Sequence, residues 1–573
     1  MKWLRLFAIV LLVVGVAYAQ ERQWTEWASD GPDDSVYADS TFDQYTRDLI
    51  FAPDLDQDGK PEIIFTDYKD GGRVHVFELV EPGVVQEVFT IQNEPIGYTT
   101  TNRSVKYGDL DGDGLPEIIL ARTGASGDVD TAHVGLWVYE WDGIPGSDNY
   151  GIDGQPTARI LDFAYDEYGN PPDQYRSEDI VVGDIDGDGV QEVVWVNNGG
   201  TAYDNAYIFS VVGDIGGFFY TVVETVFKRT DTTLCITGSL TSGYGPMNLD
   251  GDFNPDVVIG IWSNVGFLVV EGVAPDQYNV LFCQAGLDPE DRYTYGKSMG
   301  AFDIDHDGKD EFIYGALFRS RAYILRAVGD DQIVVDTFYL PDDTTISFAG
   351  LYSLRMGNLD GNTNGDIYIG NYGWGYYDLE YNGSGALNDI NNYTIYEVYT
   401  DFYEETVVYG DTDTVNYWMA VGPNLGLGDL DQDDYPELYF VTDEAKSSGD
   451  YPYLPWTTGF LHILEYGLQS VEEWTVLPPK GSVPELYAAA PSPFARFTNI
   501  GFFIPKRGNV SLKVYDIRGR LVKTLYSGEL DAGKYSFRWD GTDMSGRKVA
   551  NGVYIYRLET EFGSLAKRVV LAR

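Results

Sequence analysis

Carboxylates alternate along the nine-residue segment Asp109-Leu110-Asp111-Gly112-Asp113-Gly114-Leu115-Pro116-Glu117, at positions 1, 3, 5 and 9, and a glycine occupies position 6. Alternate carboxylates on a tightly turning loop converge on one point, which is how proteins supply a hard cation with oxygen ligands. Position 6 requires a backbone angle that glycine reaches without steric cost. The segment therefore predicts a metal-binding loop.

The same pattern occurs seven times along the chain of 573 residues. The copies stand 55, 75, 64, 55, 55 and 71 residues apart, and they begin at Asp54, Asp109, Asp184, Asn248, Asp303, Asn358 and Asp429. Isolated Asp-Gly turns are common between strands, but seven copies with one internal spacing favour metal loops over simple turns. Repetition at intervals of this kind indicates a repeat architecture.

The seven loops differ in how completely they keep the pattern. Four carry Asp, Asp, Asp and Glu at positions 1, 3, 5 and 9, and these sets are Asp54, Asp56, Asp58 and Glu62; Asp109, Asp111, Asp113 and Glu117; Asp184, Asp186, Asp188 and Glu192; and Asp303, Asp305, Asp307 and Glu311. The seventh has Asp429, Asp431, Asp433 and Glu437, with Asp434 at position 6. The fourth has Asn248, Asp250, Asp252 and Asp256 with Phe253 at position 6, and the sixth has Asn358, Asp360, Asn362 and Asp366 with Thr363.

Crowded carboxylates of this kind need a cation. Two carboxylates about 5 Å apart repel by about 3 kcal/mol at an effective dielectric constant of 20, and a complete loop holds four. We expect Ca²⁺ and not Mg²⁺, because Mg²⁺ demands a tighter octahedron and keeps its waters. Up to seven ions would bind, and the fourth and sixth loops would be the weakest sites. An EF-hand is excluded, since its glutamate at position 12 is replaced by Phe65, Leu120, Trp195 and Tyr314 in the complete loops.

Short apolar runs surround each loop. The acid at position 9 opens a run such as Glu117-Ile118-Ile119-Leu120, which predicts a strand buried on both faces. Two further apolar runs follow in each repeat, the last of them at residues 470–477 in the seventh. Four short strands per repeat predict one propeller blade. The predicted fold class is all-β, a seven-bladed β-propeller whose closure removes exposed sheet edges.

This combination of a strand, a D-x-D-x-D-G-x-x-D/E loop and further strands resembles the FG-GAP/VCBS repeats, including those of integrin α-chain propellers, over residues 47–478. The phenylalanine-glycine and glycine-alanine-proline signatures of that family are poorly kept here. The resemblance implies a seven-bladed propeller with a calcium loop between the first two strands of each blade. It also implies a further ligand, the backbone carbonyl at position 7, which belongs to Lys60, Leu115, Val190, Asn254, Lys309, Asn364 and Tyr435.

The last part of the chain has a different character. Residues 479–484 predict a linker, and the strand runs and turns of residues 485–573 predict a small Ig-like β-sandwich. The segments Val514-Tyr515-Asp516-Ile517-Arg518-Gly519 and Trp539-Asp540-Gly541-Thr542-Asp543, with Asn551-Gly552-Val553-Tyr554, resemble a FlgD-type Ig-like domain. They also resemble the C-terminal sorting domain of type IX secretion, which would imply export across an outer membrane. The residues leave both resemblances open.

The charge distribution separates these two parts. The whole chain has 38 Lys and Arg against 90 Asp and Glu, a net charge of −52, which argues against nucleic-acid binding because that binding depends on cations facing phosphates. Residues 479–573 hold 16 basic and 8 acidic residues, whereas the remainder holds 22 and 82. Such asymmetry indicates two units with different roles.

The chain begins with the features of a secretory signal. Lys2 and Arg5 precede an apolar run at residues 6–16 and a small-residue site, Ala17-Tyr18-Ala19, so we expect a signal peptide at 1–19 with cleavage near Ala19. Residues 20–46 are then a leader or an added outer strand. The apolar run is too short for a membrane span, which needs about 20 residues. We expect a secreted or cell-surface protein without a transmembrane span.

Two cysteines, Cys235 and Cys283, are present. In an exported protein they could form a disulfide, or they could be two separately buried small hydrophobic residues. Sequence spacing does not settle the geometry that a disulfide requires.

The sequence favours a binding or adhesion module over an enzyme. Its partner would be an extracellular protein or glycan, and its C-terminal domain would serve sorting or attachment to a secretion or outer-membrane system. The alternative is a polysaccharide lyase or glycoside hydrolase on a propeller face, since fold alone does not determine function. A lyase needs a base and a charge-neutralising group, and the repeats show no His, Lys or Arg cluster in sequence. A deep polar pocket at the ring centre would favour the enzyme.

Overall fold

The computed structural model is built from two compact units, residues 1–85 with 90–476 and residues 86–89 with 477–573. The residues that the structure describes are 20–21, 24–29, 46–66, 73–81, 84–91, 101–123, 135–152, 154–160, 177–198, 204–252, 254–262, 265–287, 294–316, 320–329, 331–341, 351–360, 362, 364–371, 375–399, 404–405, 415–430, 432, 436–446, 459–466, 475–477, 484–486, 489, 494, 496–504, 506–530, 533–545, 547–560 and 563–572. The predicted signal peptide at 1–19 and nearly all of the predicted linker at 479–484 lie outside these residues.

Short strands make up the chain as far as residue 477. In order they are β1 (Gln20–Glu21), β2 (Trp24–Ser29), β3 (Leu49–Ala52), β4 (Glu62–Thr66), β5 (Val74–Glu81), β6 (Val84–Ile91), β7 (Thr101–Gly108), β8 (Glu117–Thr123), β9 (Gly135–Glu140), β10 (Ala158–Ile160), β11 (Ser177–Gly183), β12 (Glu192–Asn198), β13 (Asp204–Gly213), β14 (Phe219–Lys228), β15 (Leu240–Met247), β16 (Asp256–Ile261), β17 (Gly266–Ala274), β18 (Gln277–Ala285), β19 (Thr294–Phe302), β20 (Glu311–Ala316), β21 (Arg321–Gly329), β22 (Gln332–Tyr339), β23 (Leu351–Gly357), β24 (Asp366–Asn371), β25 (Gly375–Tyr381), β26 (Tyr393–Tyr399), β27 (Glu404–Glu405), β28 (Val415–Gly428), β29 (Glu437–Lys446), β30 (Gly459–Tyr466) and β31 (Thr475–Leu477). Within the described residues the one helical element is a 3-10 turn, Ile390–Asn392.

Antiparallel sheets follow the chain order. The strands β7–β10, β11–β14 and β15–β18 form separate four-stranded sheets, and β19–β22 and β23–β26 repeat the order with a single parallel pairing between them, Ser298 with Leu354. The first unit contains the antiparallel strands β3, β4 and β5, and the last contains the antiparallel strands β28, β29 and β30. These seven units are called blades one to seven, and the fold is an all-β, seven-bladed propeller followed by an Ig-like sandwich.

The second strand of each blade is buried on both faces. In β8 every residue from Glu117 to Thr123 is buried, and β4, β16 and β20 show the same pattern. This confirms the prediction from their unbroken apolar runs. Because no face is left for water, each side of the blade must pack against a neighbouring blade.

Apolar clusters join neighbouring blades around a ring. In the described residues they connect blade two with three, three with four, four with five, five with six and six with seven. A further cluster joins Leu49 and Ile63 of blade one to Leu430 and Ile463 of blade seven. That last contact joins the first blade to the seventh, and β7 of blade two contacts β3 and β4 of blade one, so the ring is closed.

The last blade takes its outer strand from the start of the chain. The strand β2 pairs antiparallel with β30, with Trp24 opposite Tyr466. The prediction that residues 470–477 supply the fourth strand beside β30 is therefore wrong. This pairing covers the edge of β30, which would otherwise be exposed.

The two cysteines form a disulfide between the segment after β14 and the strand β18, with their Cα atoms 5.6 Å apart. The alternative of two separately buried thiols is wrong. The bond connects the segment after the outer strand of blade three to the outer strand of blade four.

The second unit contains two sheets. Its strands are β32 (Glu485–Leu486), β33 (Thr498–Ile504), β34 (Gly508–Asp516), β35 (Leu521–Leu530), β36 (Gly533–Trp539), β37 (Gly552–Thr560) and β38 (Gly563–Leu571). One sheet has the order β32-β33-β36 and the other β35-β34-β37-β38. Alternating residues of β34 and β37 point into a shared core around the fully buried Trp539, which is the pattern of a β-sandwich.

No helix in the described part of the chain is long and apolar enough to cross a membrane.

Candidate metal centres

All seven acidic loops lie between the first and second strands of their blades, and the second loop shows their geometry. The N–H of Gly114 donates to Asp109 Oδ2 at 3.1 Å, and the N–H of Leu110 donates to Glu117 Oε2 at 2.9 Å. The N–H groups of Asp113 and Leu115 donate to the carboxylates two residues before them. Backbone N–H groups thus hold each of these carboxylates toward the inside of the loop by hydrogen-bonding to one of its two oxygens.

The other loops repeat this arrangement. The bond from the position-2 N–H to the position-9 carboxylate is present in six loops, with lengths from 2.6 to 3.1 Å. Position 1 accepts from position 6 in the four complete loops, at 3.0 or 3.1 Å. The position-7 N–H donates to position 5 through Lys60, Leu115, Val190, Asn254 and Lys309. The proposed role of the position-7 carbonyl stays a prediction.

The backbone turns at position 4 as well as at position 6. Gly59 and Gly114 at position 6 have φ of 92° and 86°, as predicted from the glycine. Position 4 is also left-handed, at Gln57 (56°), Gly112 (73°) and His306 (58°). Side chains other than glycine are rare in that region. Sequence reasoning missed position 4 because glycine occupies it in only some of the loops.

The loops bring their predicted ligands together. Ligand atoms lie within 4.8 Å of one another in three sets, which are Asp54, Asp56 and Asp58; Asp109, Asp111 and Glu117; and Asp184, Asp186 and Glu192. Several inward oxygens are buried and make no hydrogen bond, and these are Asp54 Oδ1, Asp109 Oδ1, Glu117 Oε1, Asp256 Oδ1 and Asn358 Oδ1. A buried carboxylate oxygen without a partner is costly. Hard oxygen donors at positions 1 and 9 are the ligands that Ca²⁺ takes, so these residues fit that ion.

The electrostatics of the loops point the same way. Burial raises the pKa of the position-9 carboxyl groups and neighbouring carboxylates raise it further, against the opposing hydrogen bond from position 2. The pKa reaches about 9 for Glu62 and Glu117 and about 8 for Glu192, Asp256 and Glu311. Without a cation these groups would carry a proton at neutral pH. A divalent ion would keep them ionised.

Second carboxylates face several of these position-9 acids across the sheet. Glu62 is opposite Glu78, Glu117 opposite Glu140, and Asp256 opposite Glu271. Like charges in such pairs destabilise a sheet, and burial followed by the nearby carboxylates raises the pKa of Glu78, Glu140 and Glu271 to about 7. Sequence reasoning missed these glutamates because they are 15 to 23 residues from their partners.

The degenerate loops differ from one another. In the fourth, Asn248 keeps the position-1 role, since its Oδ1 accepts from Gly251 at 2.9 Å. In the sixth, the amide of Asn362 donates to Asp360 Oδ2 at 2.6 Å and to Glu380 Oε1 at 2.7 Å, and Tyr368 Oη donates to Asp366 Oδ2. Side-chain donors thus compensate the acids that remain there. In the seventh, Asp429 and Glu437 are described, whereas Asp431, Asp433 and Tyr435 lie outside the described residues.

A buried charge cluster at the ring centre was missed by sequence reasoning. The ammonium of Lys297 lies 2.7 Å from Asp179 and 3.0 Å from Asp48, and that of Lys106 lies 2.7 Å from Asp48. Arg355 donates to the carbonyl oxygens of three residues, Lys297, Met299 and Leu354. The statement that the repeats hold no Lys or Arg cluster is therefore wrong. The charges come from first strands in different blades, so only ring closure brings them together.

Opposite charges stabilise each other in this cluster. Burial alone would raise the pKa of Asp48, but Lys106 and Lys297 hold it well below its usual range. For Lys297 burial acts to lower the pKa, and the carboxylates of Asp179 and Asp48 outweigh it. A cavity of about 590 Å³ opens beside the cluster and is lined by the first strands of all seven blades.

Comparisons with known proteins agree with the repeat and the sandwich. Residues 54–120 match the model of the FG-GAP-like repeat, and residues 505–564 match that of the FlgD Ig-like domain. The chain thus contains one segment that is similar to the FG-GAP-like repeat and one that is similar to the FlgD Ig-like domain. Among solved structures, two crystal structures of BBS1N in complex with ARL6DN, one soaked with mercury and one with lead, each match at 10% identity with a TM-score of 0.41, covering 79% of this chain and 99% of that one. No curated protein matches the chain.

Proposed function

We propose that the chain is an exported, calcium-stabilised β-propeller that acts as a secreted or cell-surface binding or adhesion module. The observation that carries the calcium assignment is the set of buried oxygens without hydrogen-bond partners at positions 1 and 9, such as Asp109 Oδ1 and Glu117 Oε1. These are hard donors on a loop with the spacing that Ca²⁺ accepts. Calcium then has a structural role, because it would fix the connection between the first two strands of each blade.

The assignment to an exported protein rests on two features. Lys2, Arg5 and the apolar run before Ala19 have the order of a signal peptide. The disulfide between Cys235 and Cys283 suits an oxidising compartment. Calcium sites of extracellular modules have dissociation constants of about 10⁻⁴–10⁻³ M, which suits the same location. The FlgD-type domain would serve sorting or attachment, and type IX secretion remains one such route.

A second candidate is favoured by one observation, the polar cavity at the ring centre. A polysaccharide lyase or glycoside hydrolase would place its chemistry there. However, the ammonium groups of Lys106 and Lys297 already face the carboxylates of Asp48 and Asp179. These contacts lower the pKa of Asp48 and raise that of Lys297, whereas burial lowers the pKa of Lys106. We favour binding because Asp48 and Lys297 are held in their charged forms, and acid–base catalysis needs groups poised to exchange protons.

A single set of experiments separates the two candidates. Mature protein saturated with calcium is applied to glycan and extracellular-protein arrays, and the same samples are assayed for release of unsaturated or reducing sugar ends. We expect calcium-dependent binding without release of sugar ends. Release that disappears in Asp179→Asn would favour the enzyme, and binding that is unchanged after calcium removal would contradict the role of the ion.

A further inference from the structure

Carboxylates outside the nine-residue loops gather where neighbouring blades meet. At the junction of blades two and three, Asp111 at position 3, Glu140 on β9 and Asp214 in the turn between β13 and β14 have ligand atoms within 4.8 Å of one another. The N–H of Ile215 in that turn also donates to Asp111 Oδ2 at 2.6 Å. The position-3 acid of one blade thus holds the outer turn of the next.

The next junctions repeat the arrangement. Between blades three and four, Asp186, Glu224 and Asp276 form a group of the same size, and the N–H of Asp276 donates to Asp186 Oδ2 at 2.5 Å. Between blades four and five, the N–H of Asp331 donates to Asp250 Oδ2 at 2.9 Å. A position-3 acid, a glutamate from the third or fourth strand of the same blade and an aspartate from the next blade recur in each case.

The glutamates of these groups have oxygens with nothing to bind. Glu140 Oε2, Glu224 Oε1 and Glu271 Oε1 are buried and make no hydrogen bond. Glu271 is only 2% exposed. It has a hydrogen bond with the side chain of Asn254, and the carboxylates of Asp252, Asp331 and Asp250 repel its charge. A fully buried oxygen that faces other carboxylates requires a proton or a cation. A loop ion would lie among positions 1, 3 and 9, so the position-3 aspartate would be shared between that ion and the junction.

Other junctions supply a partner for this glutamate from the chain itself, either an ammonium or side-chain amides. At the junction of blades one and two, Lys60 Nζ contacts both Glu78 and Asp58. Glu78 occupies the place of Glu140, since each faces the acid at position 9. In blade six the corresponding glutamate, Glu380, accepts from the amides of Asn362 and Asn364. The second and third loops have Leu115 and Val190 where the first has its lysine.

We propose that a second divalent cation, Ca²⁺, binds at the junctions of blades two and three, three and four, and four and five. Each ion is held by the position-3 aspartate, the glutamate on the third or fourth strand of that blade, and the turn aspartate of the next blade. The loop ions fix the inside of each blade, whereas these ions fasten one blade to the next. The inference rests on the proposed function, because the aspartate at position 3 belongs both to a proposed calcium loop and to the junction site.

The lysine of the first junction suggests a direct test. The substitution Leu115→Lys would place an ammonium beside Glu140, as Lys60 is placed beside Glu78, and would replace the ion. Native mass spectrometry of the mature protein during a Ca²⁺ titration counts the bound ions. We expect Leu115→Lys to bind one ion fewer than the wild type and to keep its calcium-saturated melting temperature, whereas the matched control Leu115→Met keeps the wild-type count.

A second variant removes the ligand instead of replacing the ion. Glu140→Gln is expected to bind one ion fewer, and the control Asp231→Asn, an exposed acid in a turn, is expected to match the wild type. Unchanged counts in both Leu115→Lys and Glu140→Gln, with the loops still loaded, would overturn the second sites alone. A wild type that binds no calcium would overturn the proposed loops and this inference together.

Discussion

Buried carboxylates occur in two regions of the propeller, and they are compensated in opposite ways. In the acidic loops, Glu117 lies among other carboxylates and its pKa is raised to about 9. At the ring centre, Asp48 is equally buried, yet Lys106 and Lys297 hold its pKa below the usual range. Burial is the same penalty in both places. What differs is whether the counter-charge is part of the chain.

This difference separates two kinds of stability. A counter-charge from the solution makes a region's stability depend on the ion's concentration, whereas a counter-charge from the chain makes it depend on the partner side chain alone. The blades are therefore expected to respond to calcium and the ring centre is not. The following tests address that distinction, beginning with the largest expected effect.

Removal of calcium is expected to destabilise the propeller most. A site saturated at a 100-fold excess over its dissociation constant contributes about 2.7 kcal/mol, and the complete loops lose this together. The melting temperature in excess EGTA should fall on the order of 10 °C or more and should recover when Ca²⁺ is added. Differential scanning calorimetry measures both values, with Mg²⁺ as the control ion. An unchanged melting curve in EGTA would contradict the calcium assignment.

Breaking the ring-centre cluster is expected to have the next largest effect. Lys297→Met leaves Asp179 and Asp48 with less positive charge in a buried site, and removal of one partner of a buried pair costs about 3–5 kcal/mol. Urea unfolding in saturating calcium measures this loss. The double variant Asp179→Asn/Lys297→Met should recover part of it, since both charges are then removed. A loss that changes with calcium concentration would show that the two regions are not independent.

The pH dependence of calcium-free protein should distinguish the regions again. Glu62 and Glu117 have pKa values of about 9 in the folded chain against about 4.3 when unfolded. The folded state therefore binds protons that the unfolded state has released, and stability falls as the pH rises between those values. We expect the melting temperature to drop on the order of 5 °C between pH 5 and pH 8. With saturating calcium the carboxylates stay ionised, so the drop should disappear.

The sequence predicted the loops better than it predicted what surrounds them. The spacing from Asp109 to Glu117 is local, and a pattern within nine residues can be recognised without the fold. Glu140 and Asp214 are far from that loop in sequence and meet it only through strand pairing and blade packing. The same limit hid Lys106 and the rest of the ring-centre cluster. Strands were recognised because burial on both faces leaves an unbroken apolar run.

The outer strand of blade seven shows another limit. Apolar residues at 470–477 predicted its fourth strand, but β2 takes that place. Local propensity gives the existence of a strand and says nothing about which edge it joins. Ring closure selects the partner, because the edge of β30 has to be covered.

The smallest expected effect comes from a substitution that replaces side-chain hydrogen-bond donors with a site for a bound ion. In the sixth loop the amide of Asn362 donates to Asp360 and Glu380, so that this blade supplies its own donors. Asn362→Asp removes those donors and adds the carboxylate that a complete loop has at position 5. In EGTA the variant should lose about 1–2 kcal/mol, because Asp360 and Glu380 lose their hydrogen bonds from this amide and gain a carboxylate beside them. In saturating Ca²⁺ most of the lost stability should be recovered, because the loop now resembles the second one.

The control Gln284→Glu adds the same charge on an exposed outer strand and should show no calcium-dependent difference. Equal losses with and without calcium would mean that the sixth loop cannot take up the ion, and that the geometry of its turn limits binding more than its charge does.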